Sequence, residues 1–194
     1  MGRSYYLAKC RRTLMELGAP LNGWRCVKII VCETNDFTCE LCGCTKVRYV
    51  HLMEHFGFPL KLSTGCICAG LLEDDILGAK KREREARCRY QRKTNYLKKE
   101  WSATSEKRWE LRYKHRKLLI DTDSFRGREY YRLEIDGEGY HWKDNRRMES
   151  FLDTQHYAFD LMDEEDAGTR DRTAAGEGCE EDGRPGGEIH EPRL

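Results

Sequence analysis

The chain has 194 residues, 36% charged and 39% hydrophobic, with a net charge of +1. That composition excludes one large core and leaves room for a single domain or two small ones, which usually need a staple such as a structural metal. The net charge hides an asymmetry: Lys80 to Glu100 carries ten Lys or Arg against three Glu, and Asp163 to Leu194 carries four Arg against eleven acids, so a basic middle and an acidic end must be read separately.

Residues 1–23 are weakly patterned and read as a loosely held N-terminus. Their opening, "MGRSYYLAKCRRTLMELGAP", has no apolar core or small-residue cleavage site and is not read as a secretory signal. Tyr6 stands where a myristoylation motif needs Ser or Thr. No apolar run is long enough to span a bilayer. The expected setting is cytoplasmic and reducing, where clustered cysteines hold metal more often than they form disulfides.

A module over 24–78 begins with "WRCVKIIVCET", a β-branched strand. The next segment, residues 39–70, holds five of the ten cysteines and two of the six histidines. Cys39-Glu-Leu-Cys42-Gly43 has the spacing at which two thiolates share one tetrahedral zinc, with a glycine for the turn. "KVRYVHLM" reads as a strand, Gly57 and Pro59 as a turn, and "LKLSTG" as the return strand. "GCICAG" then places thiols at a helix start, where the dipole favours thiolate.

From these residues the expected ligands of one Zn2+ per chain are Cys39, Cys42, His51 and Cys68. Cys66, His55 and Cys44 are alternates. On a strand His51 and His55 lie roughly 13 Å apart, too far to share an ion without bending, so His55 is read as a polar residue at the hairpin tip. An iron–sulfur cluster on Cys39, Cys42, Cys44, Cys66 and Cys68 competes, but the ferredoxin spacings are absent. "HLMEH" matches H-x-x-E-H, the inverted zinc-peptidase motif with Glu54 as base. That chemistry needs a helix, and the residues before it favour a strand.

Residues 69–101 read as one helix, its segment 79–100 a basic linker. The apolar stripe is thin: Leu72, Ile76, Ala79, Ala86, Tyr90, Leu97 and Trp101. Arg87, Arg89, Tyr90, Arg92, Lys93, Lys98 and Lys99 combine charge with stacking surface and are the expected nucleic-acid contacts. The bland alternative is a solvated helix with an ion-pair lattice.

Residues 101–162 switch to a period of two and read as three or four antiparallel strands covered by one helix. "DGEG" at 136–139 is a hairpin turn, "YHWK" a candidate fourth strand, and Asp153 or Thr154 the cap of "QHYAFDLM". Residues 163–194 hold too little apolar surface to offset chain entropy and read as a disordered acidic tail. Such a tail could fold over the basic helix and compete for polyanions.

The order of knuckle, hairpin and helix-opening ligand resembles the treble-clef group of zinc modules. Over about residues 25–162 the chain also resembles a bacterial and phage-associated family with the pattern C-E-x-C-G, V-R-Y-V-H and V-G-C-x-C-A, a basic helix and a β-rich unit. Thr64 departs from the pattern's Val. The resemblance implies Cys39, Cys42, His51 and Cys68 as one ligand set and carries no implied activity. The β unit is loosely similar to the βββα DNA-binding units of phage integrase arms, on Phe151, Thr154 and Ala158. That likeness implies Arg108, Arg112, Tyr130 and Arg132 as an outward DNA face, although Glu110 and Glu134 share it and cross-strand pairing is the alternative. The order helix, strands, helix also resembles the double-stranded-RNA-binding fold, whose closing lysine cluster is missing here.

The sequence therefore predicts an α+β protein: a treble-clef or zinc-ribbon-like module, a basic helix, an antiparallel β module with one helix, and a tail. The expected function is a zinc-stabilised, nucleic-acid-associated accessory protein without catalysis. A protein–protein adaptor and a treble-clef nuclease are the alternatives.

Overall fold

The computed structural model describes residues 2–34 and 36–170. It is mixed α+β, with two hydrophobic cores joined by one helix. The first unit contains helix α1 (Gly2–Glu16), strands β1 (Arg25–Val31), β2 (Tyr49–His55) and β3 (Phe58–Thr64), and helix α2 (Cys66–Leu72). The three strands form an antiparallel sheet in the order β1-β2-β3. His51 sits on the central strand, opposite Ile29 on one side and Thr64 on the other.

The segment expected to be loosely held is packed from Cys10 onward. Cys10 and Leu14 of α1 are buried in the first core with Trp24, Leu41, Met53, Leu62 and Leu72. Leu7, Cys10 and Leu14 follow steps of three and four, the spacing of one helix face. Thr13 ties α1 to the knuckle by donating to the Leu41 carbonyl, 3.0 Å.

The helix expected over 69–101 is two helices, α2 and α3 (Ile76–Leu97). Asp74 adopts a left-handed φ of 57°, and Asp75 accepts a hydrogen bond from the Gly78 amide, 2.8 Å, as an N-cap. Continuous charge patterning across 73–85 hid this break. Gly70 allows the corner: a Cβ there would lie 2.5 Å from the Cα of Ile76. The N-terminal part of α3 buries Ala79 in the first core, and its C-terminal part buries Tyr96 in the second. The basic segment is thus a shared structural helix, not a linker.

The second unit is a five-stranded antiparallel meander of β4 (Ser102–Ser105), β5 (Arg108–Tyr113), β6 (Arg116–Phe125), β7 (Arg128–Ile135) and β8 (Glu138–Tyr140). The expected "YHWK" strand is split. Tyr140 pairs with β7, while β9 (Trp142–Lys143) pairs with β10 (Arg146–Arg147) in a separate hairpin. Asp136 and Gly137 both have positive φ, so "DGEG" supplies the expected turn. Leu111, Leu118, Ile120, Leu133 and Ile135 face α4 (Phe151–Arg170), which contributes Ala158, Phe159 and Met162 to the core. The Ser150 hydroxyl accepts from the Asp153 amide, 3.0 Å, so the cap lies before the residues expected to provide it.

The start of the acidic tail is also ordered. Residues 163–170 are the last turns of α4, and Asp163 is buried. The disorder expected of 171–194 lies outside the described residues. No helix among the described residues is long and apolar enough to cross a membrane.

Candidate metal centre

The knuckle folds as its spacing requires. The Gly43 amide donates to the Cys39 carbonyl, 2.8 Å, and the Cys39 amide to the Cys44 carbonyl, 2.9 Å. Gly43 has φ 67°, which closes the turn and leaves both sulfurs on its inner side. The start of α2 brings Cys68 to them. The ligand atoms of Cys39, Cys42 and Cys68 all lie within 4.8 Å of one another, and all three residues are buried. This group could hold a metal ion.

A fourth sulfur comes from a residue that sequence reasoning passed over. Cys10 of α1 places its Sγ 3.5 Å from that of Cys68, and Cys10 is buried. Four sulfurs on one tetrahedral zinc, with Zn–S bonds near 2.3 Å, would stand about 3.8 Å apart. The signal for Cys10 was the Leu7–Cys10–Leu14 face. A lone cysteine in a weakly patterned stretch carried no ligand spacing.

The thiols shift one another's acidity through hydrogen bonds. Hydrogen bonds from Cys42 and then Cys68 pull Cys39 down to about 2. Cys68 is pushed up by its hydrogen bonds with Cys10, Cys39 and Cys42. Cys10 is likewise lowered by its hydrogen bond with Cys68, and Cys42 is raised by its hydrogen bond with Cys39. A cation in its midst would let all four ionise.

His51 is not part of this group. Its ring is wholly buried and lies instead with Cys66 and Glu83, the three ligand atoms again within 4.8 Å of one another. Cys66 and Cys68 thus point from one helix start into two different clusters. Cys44 is exposed, its thiol 3.3 Å from the Thr45 carbonyl. His55 closes the β2–β3 hairpin: its Nδ1 accepts from the Gly57 amide, 2.9 Å, and its ring packs on Trp24 at 5.4 Å. "HLMEH" lies on β2, not on a helix, and Glu54 is held by Arg25 at 2.5 Å and Lys61 at 3.1 Å. The helical geometry of an inverted zinc-peptidase centre is absent there.

The expected nucleic-acid residues on α3 are largely engaged inside the molecule. Arg89 reaches Asp160 at 2.7 Å and Asp163 at 3.0 Å; Arg92 reaches Asp163 at 2.7 Å; Lys93 reaches Asp160 at 2.9 Å. Arg87 pairs with Glu83 at 3.2 Å, and Arg48 covers the ring of Tyr90 at 4.8 Å. Lys98 and Lys99 remain exposed. On the outward sheet face Arg132 forks onto Asp121, and Arg108 and Arg112 approach Glu134 and Glu110 at 3.9 and 3.7 Å. Cross-strand pairing thus accounts for Arg108 and Arg132, and Arg112 pairs within its own strand.

A different basic surface lies at the far tip of the β module. The Arg147 guanidinium sits over Phe125, Trp142 and Tyr130 at 4.3, 4.9 and 5.1 Å. Phe125 and Trp142 are 46% and 53% exposed. Arg126 lies over Phe125 at 5.2 Å, and Arg128 starts the next strand. Among the described residues Arg126, Arg128 and Arg147 have no carboxylate partner, and the neighbouring Glu129 is taken by Lys107 at 2.5 Å. The sequence showed these residues only as scattered arginines in separate turns.

Searches with protein-family profiles, characterised proteins and solved structures return no match for this chain.

Proposed function

We propose that this is a zinc-stapled, nucleic-acid-associated accessory protein without catalysis, with Cys10, Cys39, Cys42 and Cys68 holding one structural Zn2+. The observation that carries the reading is the convergence of four buried thiols from α1, the knuckle and α2 in a core of few large side chains. An all-sulfur, closed set of four is the donor chemistry of structural zinc. The sulfurs of Cys39, Cys42 and Cys68, within 4.8 Å of one another, and that of Cys10, 3.5 Å from Cys68, suit one ion. An iron–sulfur cluster spreads its thiolates over several irons and holds them farther apart.

The nucleic-acid part of the reading rests on the arginine–aromatic tip. Exposed aromatic rings stack on bases of any sequence, and unpaired arginines neutralise phosphates. The paired cations of α3 support it less, because a phosphate would have to displace Asp160 and Asp163. Trp and Arg are also enriched at protein interfaces, so the adaptor alternative uses the same patch.

The test is elemental analysis of protein purified without added metal, followed by anisotropy titrations with labelled single-stranded DNA, duplex DNA and RNA at two salt concentrations. The expected result is one zinc per chain and binding that weakens with salt. The three tip cations predict a log–log slope of about −2 on single strands. Iron with sulfide, or a folded protein without metal, rejects the zinc reading. No affinity for any of the three polymers at about 50 mM salt leaves the adaptor reading in its place.

A further inference from the structure

The cluster of buried His51 with half-buried Cys66 and Glu83 is not used by the four-thiol centre. It draws one side chain each from the central strand β2, the first residue of α2 and the second turn of α3. His51 is 0% exposed, and its Nε2 has no hydrogen-bond partner. The nearest acid, Glu83, keeps its Oε2 3.8 Å away, beyond hydrogen-bond reach. A buried imidazole nitrogen left without a partner loses its hydration and gains nothing in return, unless something occupies the space it faces.

The other face of the ring is already provided for. Cys26 places its Sγ 3.8 Å from Nδ1. A proton on Nδ1 directed at that sulfur leaves the Nε2 lone pair aimed at Cys66 and Glu83. Metal-binding histidines are commonly oriented in this way, by a partner on the nitrogen that does not bind.

We propose that His51 Nε2, Cys66 Sγ and a Glu83 carboxylate oxygen form a second metal site, for a zinc-class divalent cation, distinct from the four-thiol centre. Ligand bonds of about 2.0–2.3 Å place such donors about 3.3–3.8 Å apart on a tetrahedron. The observed separations, all under 4.8 Å, close to that by shifts of an ångström or less. One nitrogen, one sulfur and one oxygen donor suit zinc or cobalt better than magnesium or calcium, which take oxygen alone. Three protein ligands leave one position. It opens toward solvent beside Glu83, whose side chain is 23% exposed and whose other oxygen holds Arg87 at 3.2 Å. With a metal bound, water would complete the coordination there. The four-thiol centre has no such opening, so the two sites differ in kind: one closed, one open.

The test uses the full chain and two probes, Zn2+ and Co2+. Calorimetry after removal of bound metal is expected to show two equivalents of Zn2+ per chain. Cobalt is expected to give two sets of visible bands, one of tetrathiolate intensity and one with a single thiolate's charge transfer. Glu83→Gln and Cys66→Ser should each weaken the second equivalent at least tenfold while the tetrathiolate bands persist. Glu83 is partly exposed, so its substitution keeps the fold where a change at His51 would not. A single equivalent at saturating Zn2+ that carries the tetrathiolate bands, or less than tenfold weakening in either variant, overturns the proposal. Loss of the tetrathiolate bands alone speaks against the four-thiol centre and leaves the second site standing.

Discussion

Cys10 and Cys68 are fifty-eight positions apart in the chain, yet their sulfurs are 3.5 Å apart in the core. The contact ties α1 to α2. Cys10→Ser is expected to weaken zinc binding by more than the roughly 10–100-fold typical of losing an outer-shell partner. Structural zinc supplies folding free energy of about 10 kcal/mol or more, so the variant should also release α1, read as faster amide exchange over residues 7–16. Cys44→Ser, at an exposed thiol, should change neither quantity. Equal zinc affinity in the Cys10→Ser protein and the wild type would show that α1 is only a neighbour of the site.

The knuckle was legible because its ligands are adjacent: Cys39, Cys42 and Gly43 specify a turn whatever surrounds them. The β module was legible because its period of two runs through Trp109, Leu111 and Tyr113 and again through Tyr131, Leu133 and Ile135. What was not legible depended on long-range partners. Cys10 has no ligand spacing of its own. His51 was grouped with Cys39, Cys42 and Cys68, whereas strand pairing turns it toward Cys66 and a glutamate thirty-two residues away. The arginines of α3 read as a free surface because their partners, Asp160 and Asp163, lie about seventy residues further on.

Gly70 sits where α2 turns against α3. An added methyl would meet backbone at Ile76, which cannot move aside as a side chain can. Gly70→Ala should therefore cost about 1–3 kcal/mol, the range for overpacking. It should also shift Cys66 and Cys68, which open the same helix, and so lower zinc affinity. Thermal unfolding and a zinc competition assay read the two effects. An unchanged melting temperature would mean that the corner is not rigid.

Glu54 holds Arg25 and Lys61 on the sheet surface. Glu54→Gln is expected to keep the fold and the bound metal, and to leave any background peptide cleavage as it is in the wild type. Cleavage by the wild type that this variant abolishes would restore a catalytic role for "HLMEH".

Asp163 receives Arg89 and Arg92 where α4 crosses α3, and it is buried. Asp163→Asn leaves those guanidiniums short of a countercharge and should cost about 1–3 kcal/mol. At about 2–4 °C per kcal/mol for a chain of this size, the loss is visible in a melting curve. Truncation after Met162 removes Asp163 and also Asp166, the partner of Lys114 at 2.8 Å. It should destabilise more than truncation after Arg170. Equal melting temperatures for the two truncations would mean that the last turns of α4 contribute nothing to the core.

The two basic surfaces make opposite predictions for nucleic acid. On α3, Gln in place of Arg87, Arg89, Arg92 and Lys93 removes internal ion pairs, so the main effect should be lost stability, with little change in affinity once the protein is folded. At the tip, Arg147 is sandwiched among Phe125, Tyr130 and Trp142. Trp142→Ala removes a stacking platform and Arg147→Ala the cation that orders it. Stacking is worth about 1–3 kcal/mol per base, so each should weaken single-strand binding by roughly 5- to 150-fold. The exposure of Trp142 predicts near-wild-type melting for Trp142→Ala. Arg147→Ala should also flatten the salt dependence, because one fewer phosphate is neutralised. Strong loss of affinity in a stable α3 variant, with wild-type binding in both tip variants, would return the interface to the helix and require Asp160 and Asp163 to yield their partners when nucleic acid binds.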